Sequence, residues 1–475
     1  MSVRASTPEE RFEAYLQRLG TVIGHADRLE PLRGYLTGLL LAGERKSVEP
    51  MAAKLDPAHV RARHQALHHF VASSAWDEGA VLAVARDYAL EQLERHGPVE
   101  AWVVDDTGFP KKGTHSVGVA RQYCGPLGKQ DNCQVVVTLS LCNSLMSVPS
   151  AYRLYLPESW ADDAARRRAA GIAKPVRFQP KWQIALGQVD TLLEQQLPLA
   201  PVVADAGYGD VTAFREALTA RGLSYAVGIA SSTSVWPPSQ QPLPPKPYRG
   251  TGRPPKLLRR RPGHEPVSVK DLALMLPVKQ WQNVHWREGT RGTMHSRFAR
   301  LRVRAAHRDY GRSEPRAVEW LLVEWPKGEQ EPTKYWLSTV PEATTMEELI
   351  YLVKIRWRIE RDYQELKDEL GLDHYEGRGW RGFHHHGVLC IAAYAFLAAE
   401  RARLSPPAPV AFLRPAPIPA DFQVRGDAPA PRAPQPGVHH HPADPSGTHA
   451  AATTPLLPVV RGRPPHRQSL TFMTQ

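Results

Sequence analysis

Two stretches of the chain follow one pattern, an apolar run that ends in aspartate and then turns on glycine. The first is Ala101-Trp-Val-Val-Asp-Asp106 before Thr107-Gly108; the second is Ala200-Pro-Val-Val-Ala-Asp205 before Ala206-Gly207. Short apolar runs bounded by turn residues read as buried strands. A strand that ends in a carboxylate carries it to the C-terminal lip of its sheet, where open α/β sheets bind their ligands. After the first of them, Val117 to Tyr123 and Cys133 to Leu141 predict two further strands, a three-strand meander led by a carboxylate. A helix with Trp182, Ile184, Leu186, Val189 and Leu192 precedes the second aspartate, and a helix from Phe214 to Gly222 and a strand from Tyr225 to Ile229 follow it. Helices alternating with strands predict an α/β fold. Neighbouring strand residues face opposite sides of a sheet, so alternation alone leaves both Asp105 and Asp106 as candidates.

A third acid lies on a helical pattern. In Ile350 to Lys367, Leu352, Ile355, Ile359 and Leu366 recur at three- and four-residue steps as one buried face, continued by Leu370. Arg356, Glu360, Tyr363 and Lys367 recur on the adjoining face. Thr344 and Thr345, each followed three residues later by Glu347 and Glu348, are capping-box signals for its start. The spacing predicts a single helix through this stretch. On sequence alone, Arg356 and Glu360 also fit a solvated i,i+4 pair worth a few tenths of a kcal/mol.

The pattern Arg356-x3-Glu360-x6-Lys367 resembles the Tyr-Arg-Glu-Lys signature of DDE-class bacterial insertion-sequence transposases. Val353 stands where the signature has its Tyr, and Tyr351 lies two positions away. Asp105 to Gly113, Val117 to Tyr123, Leu156 to Trp160 and Ala204 to Gly209 look like segments of one branch of the same transposases. The resemblance therefore extends over roughly residues 100 to 400. It implies an RNase H-like catalytic core, a mixed sheet flanked by helices, interrupted by a β-rich insertion between the second and third acids. It also implies Asp105, Asp205 and Glu360 as catalytic metal ligands, with Asp106 as the fallback for the first, and Arg356 and Lys367 as contacts to DNA phosphates. Lys111 and Lys112, just after the first acid, are candidates for the same work.

Chemistry supports three acids in one site. Carboxylates about 4 Å apart repel by roughly 4 kcal/mol per pair at an effective dielectric near 20, and a divalent cation removes that penalty. Hard oxygen ligands favour Mg²⁺, with Mn²⁺ as a substitute, and two such ions serve the attacking and leaving oxygens of a phosphodiester displacement. The activity implied is binding of element ends, metal-dependent hydrolysis and strand transfer into target DNA, with a homodimer bringing two ends together. The competing readings are a DNA-binding regulator without turnover and a nuclease that cuts without joining.

The rest of the chain is consistent with a nucleic-acid partner. Its 475 residues carry 60 Lys and Arg against 48 Asp and Glu, a net charge of +12, and a basic balance suits a polyanion. Cys124, Cys133, Cys142 and Cys390 are too sparse for a disulfide framework and lack zinc spacing, which points to a reducing cytosol. No apolar leader or spanning segment appears, so a soluble, cytoplasmic, nucleoid-associated protein without a membrane partner is expected.

Five segments are expected. Residues 1–98 read as a helical DNA-binding domain, 99–232 as the first part of the core and 233–332 as the insertion. Residues 333–403 complete the core with the Glu360 helix, and 404–475 form a disordered tail. Within the first segment, Val48 to Leu55, a break at Asp56-Pro57 and Ala58 to Phe70 suit a helix-turn-helix whose second helix carries Arg61, Arg63, His64, His68 and His69. A plain helical bundle with a basic face fits the same residues. The insertion opens on ten prolines and seven Lys or Arg between 237 and 266. Its Tyr248, Trp281 and Trp286 suit either stacking on an unpaired base or burial in its own core. The tail holds 16 of the 44 prolines and an Arg461-Gly-Arg-Pro464 segment like an AT-hook core. Consecutive His384, His385 and His386 fan out by about 100° each on a helix and cannot share one ion, so they read as a solvated or DNA-facing cluster.

Overall fold

A computed structural model describes residues 6–404 except 290 and 291, leaving aside the side chains of 288–293. The tail, with its AT-hook-like segment and His439 to His441, lies outside the described residues from 405 onward. Twelve strands form one sheet: β1 (Ala101–Pro110), β2 (Ala120–Cys124), β3 (Lys129–Cys142), β4 (Ser147–Leu154), β5 (Val202–Ala204), β6 (Tyr225–Ile229), β7 (Ser234–Trp236), β8 (Val267–Ser268), β9 (Gln282–Gly289), β10 (Gly292–Ala305), β11 (Glu319–Trp325) and β12 (Lys334–Ser338). The order is β2-β3-β1-β5-β6-β12-β11-β10-β7-β8, with β4 also on β3 and β9 also on β10. β1, β5 and β6 run parallel while β2, β3 and β4 are antiparallel, the mixed sheet of an RNase H-like core.

The insertion continues this sheet. β12 pairs antiparallel with β6, Ser338 opposite Ala226 and Tyr335 opposite Ile229, and β11 and β10 follow outward. β4 is a strand that periodicity does not reveal, because Pro149 interrupts its apolar run. The ladder accommodates that proline at a register shift between Leu139 and Ser140, where a missing N–H is tolerated.

The longer helices are α1 (Pro8–Gly20), α2 (Leu29–Leu40), α3 (Val48–Leu55), α4 (Val60–Ala72), α5 (Glu78–Arg95), α6 (Lys181–Glu194), α7 (Thr212–Ala220), α8 (Met346–Lys354), α9 (Trp357–Asp368) and α10 (Trp380–Leu404). α10 is buried nearly all round, as an apolar helix without a polar stripe must be. It packs against α2, α4, α5 and β4, so the N-terminal helices and the sheet share one hydrophobic core. Among the described residues no helix is long and apolar enough to cross a membrane.

Four sequence expectations need correction. β1 does not end at Asp106 but runs on to Pro110, and the strand beside it is β3 rather than β2, so the three strands do not form a meander in chain order. His384, His385 and His386 are neither solvated nor DNA-facing; all three are buried. His384 Nε2 accepts the Leu154 N–H at 3.2 Å, His385 sits between the Val71 and Trp76 carbonyls at 3.0 and 3.2 Å, and His386 Nε2 donates to the Gly371 carbonyl at 2.9 Å. Each bonds a backbone group that water cannot reach, a neutral His385 donating to one of its two carbonyls, and no helical wheel displays that demand. The stretch from Ile350 to Lys367 is also two helices. Thr345 and Glu348 form the expected capping box at the start of α8, but the chain tightens at Ile355-Arg356. Arg358 N–H bonds Ile355 O at 3.1 Å, and Ile359 N–H bonds Arg356 O at 3.1 Å. These three-residue bonds end α8 and start α9 with Arg356 at its N-cap.

Candidate active site

The parallel register of β1 and β5 sets two of the acids level with each other. Trp102 pairs with Val202 and Val103 with Val203, so Asp105 and Asp205 each lie two residues beyond the same pair. Side chains alternate along a strand, which puts Asp106 on the other face. Beyond Ala204 the chain leaves β5 in the short helical turn Ala206–Gly209, and the Asp205 carboxylate caps it by accepting the Gly207 N–H at 2.9 Å. This turn lies directly on β6. A Cβ on Gly209 would stand 1.9 Å from the Gly228 carbonyl oxygen, and one on Gly228 would stand 2.9 Å from the Ala206 nitrogen. The two glycines are what let Asp205 sit there.

Asp106 is engaged on its own face. Its carboxylate takes the Lys181 ammonium at 2.6 Å and the Tyr208 hydroxyl. Lys181 begins α6, and Tyr208 belongs to the turn behind Asp205. Sequence reasoning missed both partners. Tyr208 stood in view inside Asp205-Ala-Gly-Tyr-Gly209, but its role shows only once the two strands are side by side.

Asp105 faces α9. Its Oδ1 accepts the Asp106 N–H at 2.9 Å, and its Oδ2 accepts from Arg356 Nη2 at 2.9 Å. Burial pushes the Asp105 carboxyl up to about 6; Arg356 opposes that shift and the Asp205 charge adds to it. Burial works against the Arg356 charge as well, yet Asp105, Asp205 and Glu360 around it outweigh burial and raise its pKa. One guanidinium thus lies within the field of all three acids. Its Nε is buried without a hydrogen-bond partner.

Glu360, in the first turn of α9, is exposed and lines a cavity of about 450 Å³ together with Asp205 and Arg356. The insertion supplies part of the other wall, including Trp286 and Arg287. Arg287 stacks over the Trp357 ring at 4.1 Å, and Lys354 lies 4.4 Å from the Trp286 ring while pairing with buried Glu324 at 2.7 Å. Trp281 packs edge-on against Trp325 and Trp286 against Phe298, whereas Tyr248 is exposed.

The donor set of Asp105, Asp205 and Glu360 is all carboxylate oxygen, which suits a hard divalent cation. Among the described residues no group of three or more His, Cys, Asp or Glu stands close enough to hold a metal ion. The acids suit such an ion by donor type alone, and Arg356 supplies the positive charge among them here.

Of the other expected cations, two are held by backbone carbonyls and one is exposed. Lys367 donates to the Gly108 carbonyl at 3.1 Å with its ammonium over the Phe109 ring, and Lys111 donates to the Tyr375 carbonyl at 3.2 Å. Burial lowers the pKa of both. Lys112 is exposed. Tyr351 turns away to hydrogen-bond Glu100, and Val353 is buried.

Comparisons with known proteins bear on the family. Over 172 residues the chain is 31% identical to a probable transposase for insertion sequence element IS701 from Microchaete diplosiphon. That alignment spans 36% of this chain and 42% of the relative's length. A family profile described as DDE superfamily endonuclease matches residues 18–293, which include the strand and turn carrying Asp105 and Asp205 and end before Glu360. With an RNase H-like sheet, two level aspartates at its lip and a profile match over more than half its length, the chain belongs to the DDE superfamily endonucleases.

Proposed function

We propose that this protein is the transposase of an insertion sequence. It binds double-stranded DNA at the element's ends, hydrolyses a phosphodiester bond there and joins the freed 3′-hydroxyl to target DNA. The observation that supports the reading is that Asp105 and Asp205 are level across β1 and β5, with Arg356 bonded to Asp105 and lining one cavity with Asp205 and Glu360. Asp105, Asp205 and Glu360 are the residues that would hold Mg²⁺ or Mn²⁺. Such ions, when bound, stabilise charge on the attacking and leaving oxygens.

The protein's own groups bind and orient the strand. Arg356 sits where a phosphate entering beside Asp105 finds a planar two-pronged donor. With Lys354 already paired with Glu324, Arg287 adds positive charge along the cavity that Glu360 lines. Lys111, Lys112 and Lys367 extend it from the end of β1 and the far turn of α9, where they neutralise neighbouring phosphates. A homodimer acting with the nucleoid in the cytoplasm completes the proposal, since two ends must meet before joining.

A duplex containing the DNA that flanks the coding region tests it. With Mg²⁺, the wild-type protein is expected to nick that duplex at the element's end and join it to a plasmid target. Asp105→Asn, Asp205→Asn and Glu360→Gln should each abolish both products and keep DNA affinity. Cleavage retained by any of the three overturns the site. Cutting without joining selects a nuclease, and binding without cutting selects a regulator.

A further inference from the structure

We propose that α4 is a sequence-reading helix that lies in the major groove of duplex DNA with Arg61, Gln65 and His68 against the base edges. The inference rests on the proposed DNA-binding function and adds the surface that selects the sequence.

The scaffold comes first. α3 has eight residues, the turn runs from Asp56 to His59, and α4 has thirteen. These are the proportions of a helix-turn-helix, in which the second helix enters the groove. α2 is the third member of the unit, and its glycines set the packing. A Cβ on Gly38 would stand 3.0–3.2 Å from three Met51 atoms of α3, and one on Gly34 would stand 3.4 Å from Leu67 of α4. Leu32, Leu36, Leu39, Met51 and Leu67 are buried between the three helices. The far end of α4 is fixed to α10, where His385 hydrogen-bonds the Val71 carbonyl. The helix is held rigidly from behind.

Its outer face is exposed and coherent, with His68 stacked on His64 and His69 bonded to Ser74 toward its far end. At about 100° per residue, Arg61, Ala62, Gln65, Ala66, His68 and His69 cover an arc of roughly 160°. All six are exposed, while Leu67, Phe70 and Val71 on the opposite arc are buried. The chemistry of this face is one-sided. α4 contains no acid, and the acids beside it are engaged, Glu30 by Arg63 at 2.9 Å and Asp56 by His59 at 3.2 Å. Arginine is the usual partner of guanine and glutamine of adenine in the major groove, and Ala62 and Ala66 keep the face low enough for close approach. A face serving only as a solvated surface has no need to exclude carboxylates over thirteen residues.

Selection from a random duplex pool, run with the full chain in EDTA so that no cleavage intervenes, tests the proposal. The wild type is expected to enrich a defined motif. Arg61→Ala/Gln65→Ala should prefer the selected duplex over a scrambled one by about tenfold less, or weaker still, with scrambled-duplex affinity changed only slightly. Both side chains are exposed, so melting curves should match the wild type and confirm the fold. A double variant that enriches the same motif with the same preference overturns the proposal, as does a wild type that binds DNA without preference. A wild type that binds no duplex at all overturns the DNA-binding reading with it. Asp105→Asn must select the wild-type motif, which separates sequence reading from catalysis.

Discussion

Tyr208 donates its hydroxyl hydrogen to Asp106, so the turn that presents Asp205 is bonded directly to the neighbour of Asp105. Asp106 also holds Lys181 at the start of α6. The second aspartate of the Asp105-Asp106 pair therefore ties together three segments, and the acid that points away fixes the spacing of the two that share a face.

Tyr208→Phe keeps the ring, which packs on Phe214, and removes only this bond. A hydrogen bond to a carboxylate contributes about 1.5–3 kcal/mol, toward the lower figure here because Asp106 is partly exposed. The variant is expected to melt a few degrees lower and to cleave DNA about tenfold more slowly, at unchanged DNA affinity. Unchanged cleavage together with a lower melting temperature would show that the glycine contacts alone fix the turn.

Arg356 is the charge that the acids share, and its removal should be felt before any DNA is present. Arg356→Gln leaves Asp105 largely buried and without its partner, a loss on the order of 3 kcal/mol for such pairs. Denaturant unfolding at pH 8 measures it. Adding Asp105→Asn should restore at least about 1 kcal/mol, since the double variant no longer buries an unpaired carboxylate. Additive effects would mean that the two side chains do not interact in solution. Arg356→Lys should not rescue DNA cleavage, because an ammonium lacks the two-pronged geometry.

The buried histidines of α10 set an acid limit on stability. Burial, the largest cause, pushes His384, His385 and His386 each down to about 4, against about 6.5 for an unfolded histidine. Between these values the unfolded chain binds protons that the folded one refuses. The stability from neutral burial is therefore complete above about pH 6.5 and is lost as pH falls toward 4. At pH 5 the loss is on the order of 2 kcal/mol per histidine. Melting temperature should drop steeply from pH 6.5 to 4.5, and His385→Phe, which keeps a flat ring beside Trp76, should make that drop shallower. A pH-independent melting temperature over this range would mean that the histidines are already protonated in the fold.

The sheet was legible wherever a strand was a continuous apolar run. β1, β5 and β6 stand out because Trp102-Val-Val104, Val202-Val-Ala204 and Tyr225 to Ile229 are buried on both faces, as parallel strands under helices must be. β4 was hidden by Pro149, and the break at Arg356 by an apolar period that runs through it without a Gly or Pro to mark the turn. The candidate acids could be picked out because Asp205 follows β5 and Glu360 lies in the first turn of α9, whereas Asp105 lies mid-strand in β1. The contacts around them could not, since Lys181 meets Asp106 across 75 residues and Arg356 meets Asp105 across 251. Such pairs depend on strand register and helix placement, and local spacing carries neither. The histidines mislead for the same reason: their partners are backbone carbonyls of other elements, and a run of three polar residues reads as surface until those carbonyls are in place.

The glycines beneath Asp205 give the sharpest test of how the site is built. Gly209→Ala places a methyl 1.9 Å from the Gly228 carbonyl oxygen, a backbone atom in the interior of a paired strand. Neither side yields easily: β6 is held by β5 on one edge and by β12 on the other. The turn must lift, and with it the Asp205 carboxylate. A shift of about 1 Å at a reacting group costs roughly 10²-fold in rate, so cleavage should fall by about that much, with a stability loss of about 2 kcal/mol or more. Gly187→Ala on α6 is the matching control, because its Cβ meets nothing within 4 Å. There the better helix propensity of alanine should stabilise the fold by up to about 1 kcal/mol and leave cleavage unchanged. If Gly209→Ala and Gly187→Ala behave alike, the turn has room that these contacts deny, and the level placement of the two aspartates rests on something other than the packing of Gly209 on Gly228.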